Sequence, residues 1–139
     1  MSEYTKHLTP RPELRERIIE TAVKAVAAQG IKSITMDDIA TSLGISKRTL
    51  YEVFPDKETL LEECILRGQK EGDEYLKNVL ATSENVLEVL LKCYQRSIEK
   101  FHATNKKFFE DIKKYPKAYK LMTKRHDQTS EETETLFKD

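Results

Sequence analysis

Glycine and proline are scarce in this sequence, and no long hydrophobic run interrupts its charged residues. With four of each in 139 residues, the composition excludes a low-complexity chain. Charged residues make up 35% and hydrophobic residues 38% of the chain, a balance typical of short amphipathic helices. The length suffices for one domain, or for two small ones that share a core. We therefore expect an all-α protein.

Cysteines are also few, and both fall within apolar helical patterns. Cys64 and Cys93 occupy positions typical of reduced thiols that pack as small hydrophobic side chains. No apolar stretch approaches the roughly twenty residues that span a bilayer, and no early segment joins basic residues to an apolar run. We expect a soluble, cytoplasmic protein with no membrane partner.

Neither sign of charge is in excess. The 24 lysines and arginines balance 24 aspartates and glutamates, and residues 1–57 are balanced in the same way. Overall charge therefore neither requires nor excludes a nucleic-acid partner. The placement of individual cations has to decide.

A first helix is predicted to begin near Pro12 and to end at Gly30, after an N-terminal arm over residues 1–12. Apolar residues recur every three or four positions along the helix, and Gly30 supplies a left-handed stop. The arm contains two prolines and little apolar periodicity, so we expect it to be mobile.

A helix, a short turn and a second helix are predicted next. Thr35 and Asp38 have the spacing of a capping box, which opens a helix that ends at Leu43. Gly44 permits the positive φ of a sharp reversal, and the Ser46 hydroxyl can cap the following helix. This unit is a helix-turn-helix, which occurs in DNA-binding proteins and also in purely structural modules.

The second helix of the unit has one apolar face and one charged, aromatic face. The apolar face holds Leu50, Val53 and Phe54. The outward face holds Lys47, Arg48, Tyr51 and Glu52. Charges on such a face are often only solvated, but an outward cationic helix after a glycine turn also fits a helix that enters the major groove.

The stretch TMDDIATSLGISKRTLYEVFPDKETLL resembles the DNA-binding region of TetR-family transcriptional regulators. The shared features are the Thr35 helix start, the LGIS turn, TLY followed by Phe54, and Lys57 ahead of an apolar run. The strong part of the resemblance covers residues 12–66. It implies that the residues that approach DNA are Thr35, Ser46, Lys47, Arg48, Thr49, Tyr51 and Lys57.

Side-chain chemistry agrees with these implied roles. Arg48 can form two hydrogen bonds to guanine, while lysine and tyrosine are good partners for phosphate. Glu52 departs from the neutral or histidine-like residue often found at its position in the family, and its carboxylate repels phosphate. We expect Glu52 to pair with Lys47 or Arg48, and a contact to cytosine is the alternative.

Residues 58–139 are predicted to form a second helical part. Pro55 ends the preceding helix, and Asp56 can cap a long one that runs toward Leu80. Another amphipathic helix follows the ATSEN sequence. We assign residues 1–57 to a helix-turn-helix, DNA-binding domain and the rest to a helical effector domain.

The resemblance implies that the effector domain encloses a cavity for a small molecule. The aromatic residues considered for its lining are Tyr94, Phe101, Phe108 and Tyr119. For each of them, packing in an ordinary core is the alternative. No cofactor and no metal are expected.

The chain stops earlier than TetR-family regulators usually do. Members of the family add two long helices that complete the effector domain and pair two copies of the protein. We expect the effector domain to be incomplete at its C-terminal end, or its dimerisation to differ. The complete protein is expected to be a homodimer.

Together these features predict a sequence-specific, DNA-binding transcriptional regulator that acts as a ligand-responsive repressor. An enzyme is disfavoured because His7, His102 and His126 are widely spaced and no zinc or phosphate-binding motif is present. A helical protein-interaction adaptor stays open as the alternative, since helix-turn-helix scaffolds serve other roles.

Overall fold

The structure, a computed structural model, describes residues 10–124, and the regular elements over that range are helices. They are α1 (Pro10–Gln29), α2 (Met36–Leu43), α3 (Lys47–Val53), α4 (Lys57–Thr82), α5 (Val86–Ala103), α6 (Lys106–Asp111), a 3₁₀ turn (Ile112–Lys114) and α7 (116–124). Because residues 10–124 contain no strand, the expectation of an all-α protein is confirmed for that part of the chain.

Helix α1 begins before the predicted start and ends where the sequence predicts. It includes residues 10–12, so the prediction of a mobile arm is wrong for these three, and residues 1–9 of the predicted arm lie outside the described residues. Ile18 and Ile19 are fully buried, as their apolar periodicity requires. Gly30 has a φ of 85° and donates its N–H to the Val26 carbonyl at 2.9 Å, which confirms the left-handed stop.

Helix α4 is the long connection between the N-terminal helices and the rest. The Asp56 carboxylate caps it by accepting from the Thr59 N–H at 2.7 Å. The helix continues through Gly68 and Gly72 to Thr82, so the prediction of one long helix is confirmed. It lies against α1.

Two apolar clusters form the core of the described chain. The first holds Ile18, Ile19, Ala22, Ile34, Met36, Ile39, Ala40, Leu50, Phe54, Leu60 and Cys64. The second holds Val26, Ile31, Leu61, Ile65, Ile112 and Ala118. Since α1 and α4 contribute to both clusters, the first turns of α4 belong with the helix-turn-helix. The predicted domain boundary after residue 57 therefore falls inside a shared core, and the division into domains stays a prediction.

Helix α5 carries the predicted apolar stripe, but that stripe is exposed. The exposed fractions are 66% for Leu87, 59% for Leu91, 67% for Tyr94 and 62% for Phe101. Helix α5 is joined to α4 by a hydrogen bond in which the Tyr75 hydroxyl of α4 donates to the Lys92 carbonyl of α5 at 3.3 Å. Periodicity predicted the stripe correctly, but it does not show what covers it.

None of the helices within residues 10–124 is long and apolar enough to cross a membrane.

Replacing each left-handed glycine by alanine should separate backbone strain from steric conflict. A Cβ at Gly44 meets no atom within 4 Å, whereas a Cβ at Gly30 lies 2.7 Å from the Lys107 Cβ. We expect Gly44→Ala to lower the free energy of unfolding by about 1 kcal/mol. Gly30→Ala should lower it by about 2 to 4 kcal/mol, since overpacking adds to the strain.

Urea denaturation of both variants and the parent measures this difference. Lys47→Ala is the control, because that exposed side chain should leave stability nearly unchanged. Equal losses for the two glycine variants would contradict the close approach of α6 to Gly30.

Candidate nucleic-acid interface

The turn between α2 and α3 is fixed by its own backbone. Gly44 has a φ of 67° and donates its N–H to the Thr41 carbonyl at 3.1 Å. The Ile45 N–H donates to the Ala40 carbonyl at 3.0 Å. The predicted reversal at Gly44 is therefore confirmed, and it sets the angle at which α3 leaves α2.

Both helices of the unit start at the capping residues that the sequence predicts. The Thr35 hydroxyl accepts from the Asp38 N–H at 3.1 Å, while the Asp38 carboxylate accepts from the Thr35 N–H at 2.9 Å. Hydrogen bonding to the Asp38 carboxylate by Thr35, first from its backbone N–H and then from its side chain, holds the pKa of that carboxyl below its usual range. Ser46 caps α3 by accepting from the Thr49 N–H at 3.1 Å.

One face of α3 is locked into the first cluster. Leu50 is 0% exposed and Phe54, just after the helix, is 2% exposed. The Arg15 guanidinium lies 5.4 Å from the centre of the Phe54 ring, which ties α1 to the same corner. Because this face is buried, the orientation of the opposite face is fixed.

The opposite face of α3 is the exposed stripe that the sequence predicts. Its side chains are Lys47, Arg48, Tyr51 and Glu52. The Arg48 side chain is 90% exposed, and its Nε lies 3.5 Å from the Glu52 carboxylate, so the expected pairing of Glu52 is confirmed. The Lys47 ammonium instead lies 3.2 Å from the Asp37 carboxylate of α2. Such exposed ion pairs are worth at most about 1 kcal/mol each, so phosphate can displace them.

The remaining residues implied by the resemblance are placed in two different ways. Thr35 and Ser46 are exposed at the starts of α2 and α3, and Thr49 is half-buried with its hydroxyl 2.8 Å from that of Ser46. Ser46 and Thr49 adjoin the stripe on α3 itself, whereas Thr35 lies at the start of α2. The Lys57 side chain makes an internal contact, because its ammonium donates to the Ile31 carbonyl at 2.6 Å and lies 5.7 Å from the Tyr115 ring centre.

The structure thus places Lys57 at an internal contact and not on the expected surface. Its hydrogen bond satisfies a carbonyl in the loop after α1, and the partner is 26 residues away in sequence. The pattern of a lysine ahead of an apolar run carries no signal for such a contact. A phosphate bond from Lys57 would require the bond to Ile31 to break.

Sequence reasoning missed a junction between the end of α1 and α6, formed by Ala27, Ala28, Lys32, Asn105 and Asp111. The Asn105 N–H donates to the Ala27 carbonyl at 2.7 Å, and its side-chain amide donates to the Ala28 carbonyl at 3.1 Å. The Asp111 carboxylate, which is buried, accepts from the Lys32 N–H at 2.9 Å. This α1–α6 junction attaches the helix-turn-helix to the later helices. Only the capping potential of Asn105 was visible in the sequence.

The four aromatic residues considered for ligand binding are not gathered around one cavity. Tyr94 and Phe101 lie on the exposed stripe of α5, and Tyr119 packs against the second cluster. Phe108 lines an apolar cavity of about 330 Å³ between α1 and α4. Within residues 10–124, no group of three or more His, Cys, Asp or Glu side chains is placed to hold a metal, and His7 and His126 lie outside that range.

Curated proteins similar to this chain are transcriptional regulators. Residues 18–64 match the family model of bacterial regulatory proteins of the tetR family. The biofilm operon icaADBC HTH-type negative transcriptional regulator IcaR of Staphylococcus aureus is 31% identical over 72 residues, covering 52% of this chain and 37% of IcaR. The HTH-type transcriptional regulator YhgD of Bacillus subtilis is 31% identical over 101 residues, covering 70% of this chain and 52% of YhgD. The chain therefore spans about half the length, or less, of these relatives.

Solved structures show the same architecture. A TetR-family transcriptional regulator from Pectobacterium atrosepticum aligns with a TM-score of 0.56 and 26% identity, over 66% of this chain and 48% of the other. For a TetR-family regulator from Mesorhizobium loti the TM-score is 0.62 and the identity 24%, over 81% and 59% of the two chains. The second likeness shows the fold alone. The family resemblance inferred from the sequence is confirmed.

The α1–α6 junction predicts a difference between two helix-capping asparagines. Asn85 and Asn105 both cap a helix, by accepting from Glu88 and Lys107 backbone N–H groups at 2.9 Å. Asn85→Ala should cost about 1 kcal/mol of stability, the usual value of a cap. Asn105→Ala should cost roughly 1 kcal/mol more, because the bond to α1 is lost as well. Equal losses in urea denaturation would show that the side-chain bond to α1 contributes nothing.

Proposed function

We propose that the chain is a sequence-specific, DNA-binding repressor of the TetR type that responds to a small molecule, a proposal supported by the match of residues 18–64 to the tetR family model. The observation that carries the proposal is the exposed stripe of α3, held outward by the burial of Leu50 and Phe54. IcaR is described as a negative regulator, which supports repression over activation. Its partner would be double-stranded operator DNA, so it would act in the cytoplasm.

Within this proposal, the stripe divides into residues that select sequence and residues that position the protein. The Arg48 side chain is 90% exposed, and it would donate two hydrogen bonds to a guanine in the major groove. Lys47 and Tyr51 would bind phosphates beside it, together with the hydroxyls of Thr35 and Ser46 at the helix starts. Thr49 would contribute from the base of the stripe.

Lys57 is assigned a different task in the proposal. Because its ammonium is bonded to the Ile31 carbonyl, it would hold the start of α4 against the loop after α1. In that position it orients α3 without touching DNA. Direct contact between Lys57 and phosphate remains the prediction made from the sequence, and a salt titration separates the two.

Two copies would act together on one operator. A single α3 offers few base contacts, whereas two readers about 34 Å apart can enter successive major grooves. The exposed apolar stripe of α5 supports assembly, because a patch of this kind commonly marks contact with another protein. We propose a homodimer as the form that binds DNA.

Replacing Arg48 by alanine should weaken operator binding by about 1 to 3 kcal/mol and relax the base preference at one position. The measurement is a gel shift with the DNA upstream of the chain's own gene and with a panel of single-base variants. Lys77→Ala is the matched control, since it removes one exposed cation from α4, outside the proposed surface. If Arg48→Ala binds all sequences as the parent does, the proposed surface is wrong.

The salt dependence of binding tests the number of copies and the task of Lys57. With Lys47 from two copies neutralising phosphate, log affinity against log salt should have a slope of about −2. Lys57→Met should keep that slope while it lowers the thermal midpoint, because it removes the bond to Ile31. A parent slope of about −4 that becomes shallower by about 2 in this variant would instead show that both copies of Lys57 bind phosphate. One copy per operator in sedimentation would overturn the paired arrangement.

A further inference from the structure

An apolar cavity of about 330 Å³ is lined by residues of α1, of the first half of α4 and of the later helices. Its walls include Val23 of α1, Leu61 and Ile65 of α4, Phe108 of α6 and Met122 of α7. The volume falls at the lower end of the range for small-molecule sites. The cavity lies outside the exposed stripe of α3, so an occupant would leave the proposed DNA surface uncovered.

Two residues of α4 keep this cavity open and apolar. Gly68 faces it without a side chain, and a Cβ added there would meet no atom within 4 Å. Burial raises the pKa of the Cys64 thiol to about 12, so the sulfur stays neutral in the wall. A hydrocarbon chain therefore meets matching surface along this side.

The polar groups around the cavity differ in whether they already donate a hydrogen bond within the protein. The Gln69 amide already donates to the Leu121 carbonyl at 3.2 Å, and the Thr104 hydroxyl donates to the Lys100 carbonyl at 2.8 Å. Among the described residues that line the cavity, Lys100 alone carries a charge. Its ammonium lies 3.8 Å from the Glu71 carboxylate, the longest of the ion pairs described, and its side chain is 58% exposed. The cavity thus combines an apolar interior with one cation at its mouth.

We infer that this cavity binds a small amphipathic anion, an aliphatic chain with one carboxylate, whose chain fills the apolar interior while its carboxylate bonds Lys100. The inference rests on the proposed function, for which it names the site and chemical class of the effector. Uncharged chains of the same length bind more weakly, because they leave Lys100 with only its long ion pair to Glu71 and add no charge-assisted hydrogen bond.

The position of the cavity connects it to the helix-turn-helix. Its wall includes Ala27, whose carbonyl accepts the Asn105 N–H within the α1–α6 junction. A hydrocarbon chain bound in the cavity therefore contacts the end of α1 beside that junction. Because α1 also packs against α3, occupation changes where the two copies present their α3 helices.

Binding of decanoate is the direct test, measured by calorimetry on the full chain without DNA. A series from octanoate to tetradecanoate should show an optimum length set by the cavity, and decanol should bind about tenfold more weakly than decanoate. The methyl resonance of Met122 should shift on binding, while that of Met36, in the first cluster, should not. Absence of decanoate binding, or a shift of Met36 alone, overturns the inference.

Two glycines on the same helix provide a matched pair of variants. Gly68→Leu places a side chain in the cavity and should abolish decanoate binding. Gly72→Leu makes the same change one turn later, where an added Cβ meets only the end of Arg96 at 3.7 Å, and should keep it. Lys100→Gln should weaken decanoate about tenfold and leave decanol unchanged. Undiminished binding to Gly68→Leu overturns the site, and equal effects of Lys100→Gln on both ligands overturn the role of the charge.

These experiments test the proposed effector site and the proposed DNA-binding function separately. A gel shift of the parent without decanoate tests DNA binding alone, whereas calorimetry tests the cavity alone. DNA binding without decanoate binding leaves the proposed function standing and removes this effector. Decanoate binding that passes the Gly68 and Met122 tests supports the site, and loss of the gel shift on adding decanoate supports its link to DNA.

Discussion

The burial of one face of α1, from Ile18 to Val26, is the constraint on which the rest of the structure depends. Its Ile18 and Ala22 pack in the cluster that holds α3, and its Val26 packs in the cluster that holds the later helices. A helix is stiff over this distance, because each turn is tied to the next by backbone hydrogen bonds. Any shift at one end of α1 is therefore felt by the surface against which α3 rests.

Helix α6 and its cap contact the C-terminal end of α1 and the loop after it through hydrogen bonds to backbone groups. Asn105 and Asp111 bond backbone groups of the α1 end and the loop after it, and Gly30 leaves room for the close approach of α6. Hydrogen bonds have narrow ranges of distance and angle, so this junction admits less sliding than apolar packing does. A small displacement of α6 would therefore be transmitted to α1 through this junction.

Local signals made much of the helix-turn-helix predictable from sequence. The capping roles of Thr35, Asp38 and Ser46 follow from backbone groups at most three residues away, and Gly44 follows from the geometry of one turn. The same is true of the buried face of α3, because helical periodicity alone fixes which residues lie together.

Long-range contacts were not predictable in this way. The bond from Lys32 to Asp111 joins residues 79 apart, and that from Lys57 to Ile31 joins residues 26 apart. Nothing in the neighbouring residues of Lys57 distinguishes an ammonium that turns inward from one that faces solvent. For Tyr94 and Phe101, periodicity correctly gave an apolar stripe, but burial depends on what packs over α5 and not on α5 itself. The candidate surface of α3 was therefore predictable, whereas the cavity and the α1–α6 junction required the structure.

The balanced charge of the chain sets how strongly a single α3 can hold DNA. Lys47 and Arg48 each have a carboxylate partner in the free protein, Asp37 and Glu52, so they do not present an unopposed positive field. On DNA, each cation would exchange a weak surface pair for a phosphate or base contact, and the two carboxylates would stay close to the negative backbone. Most of the gain would come from counterions released by the DNA, which grows with the number of phosphates neutralised. With few cations per copy and two nearby carboxylates, one reader would bind DNA weakly, and this charge pattern supports the proposed pairing of two copies.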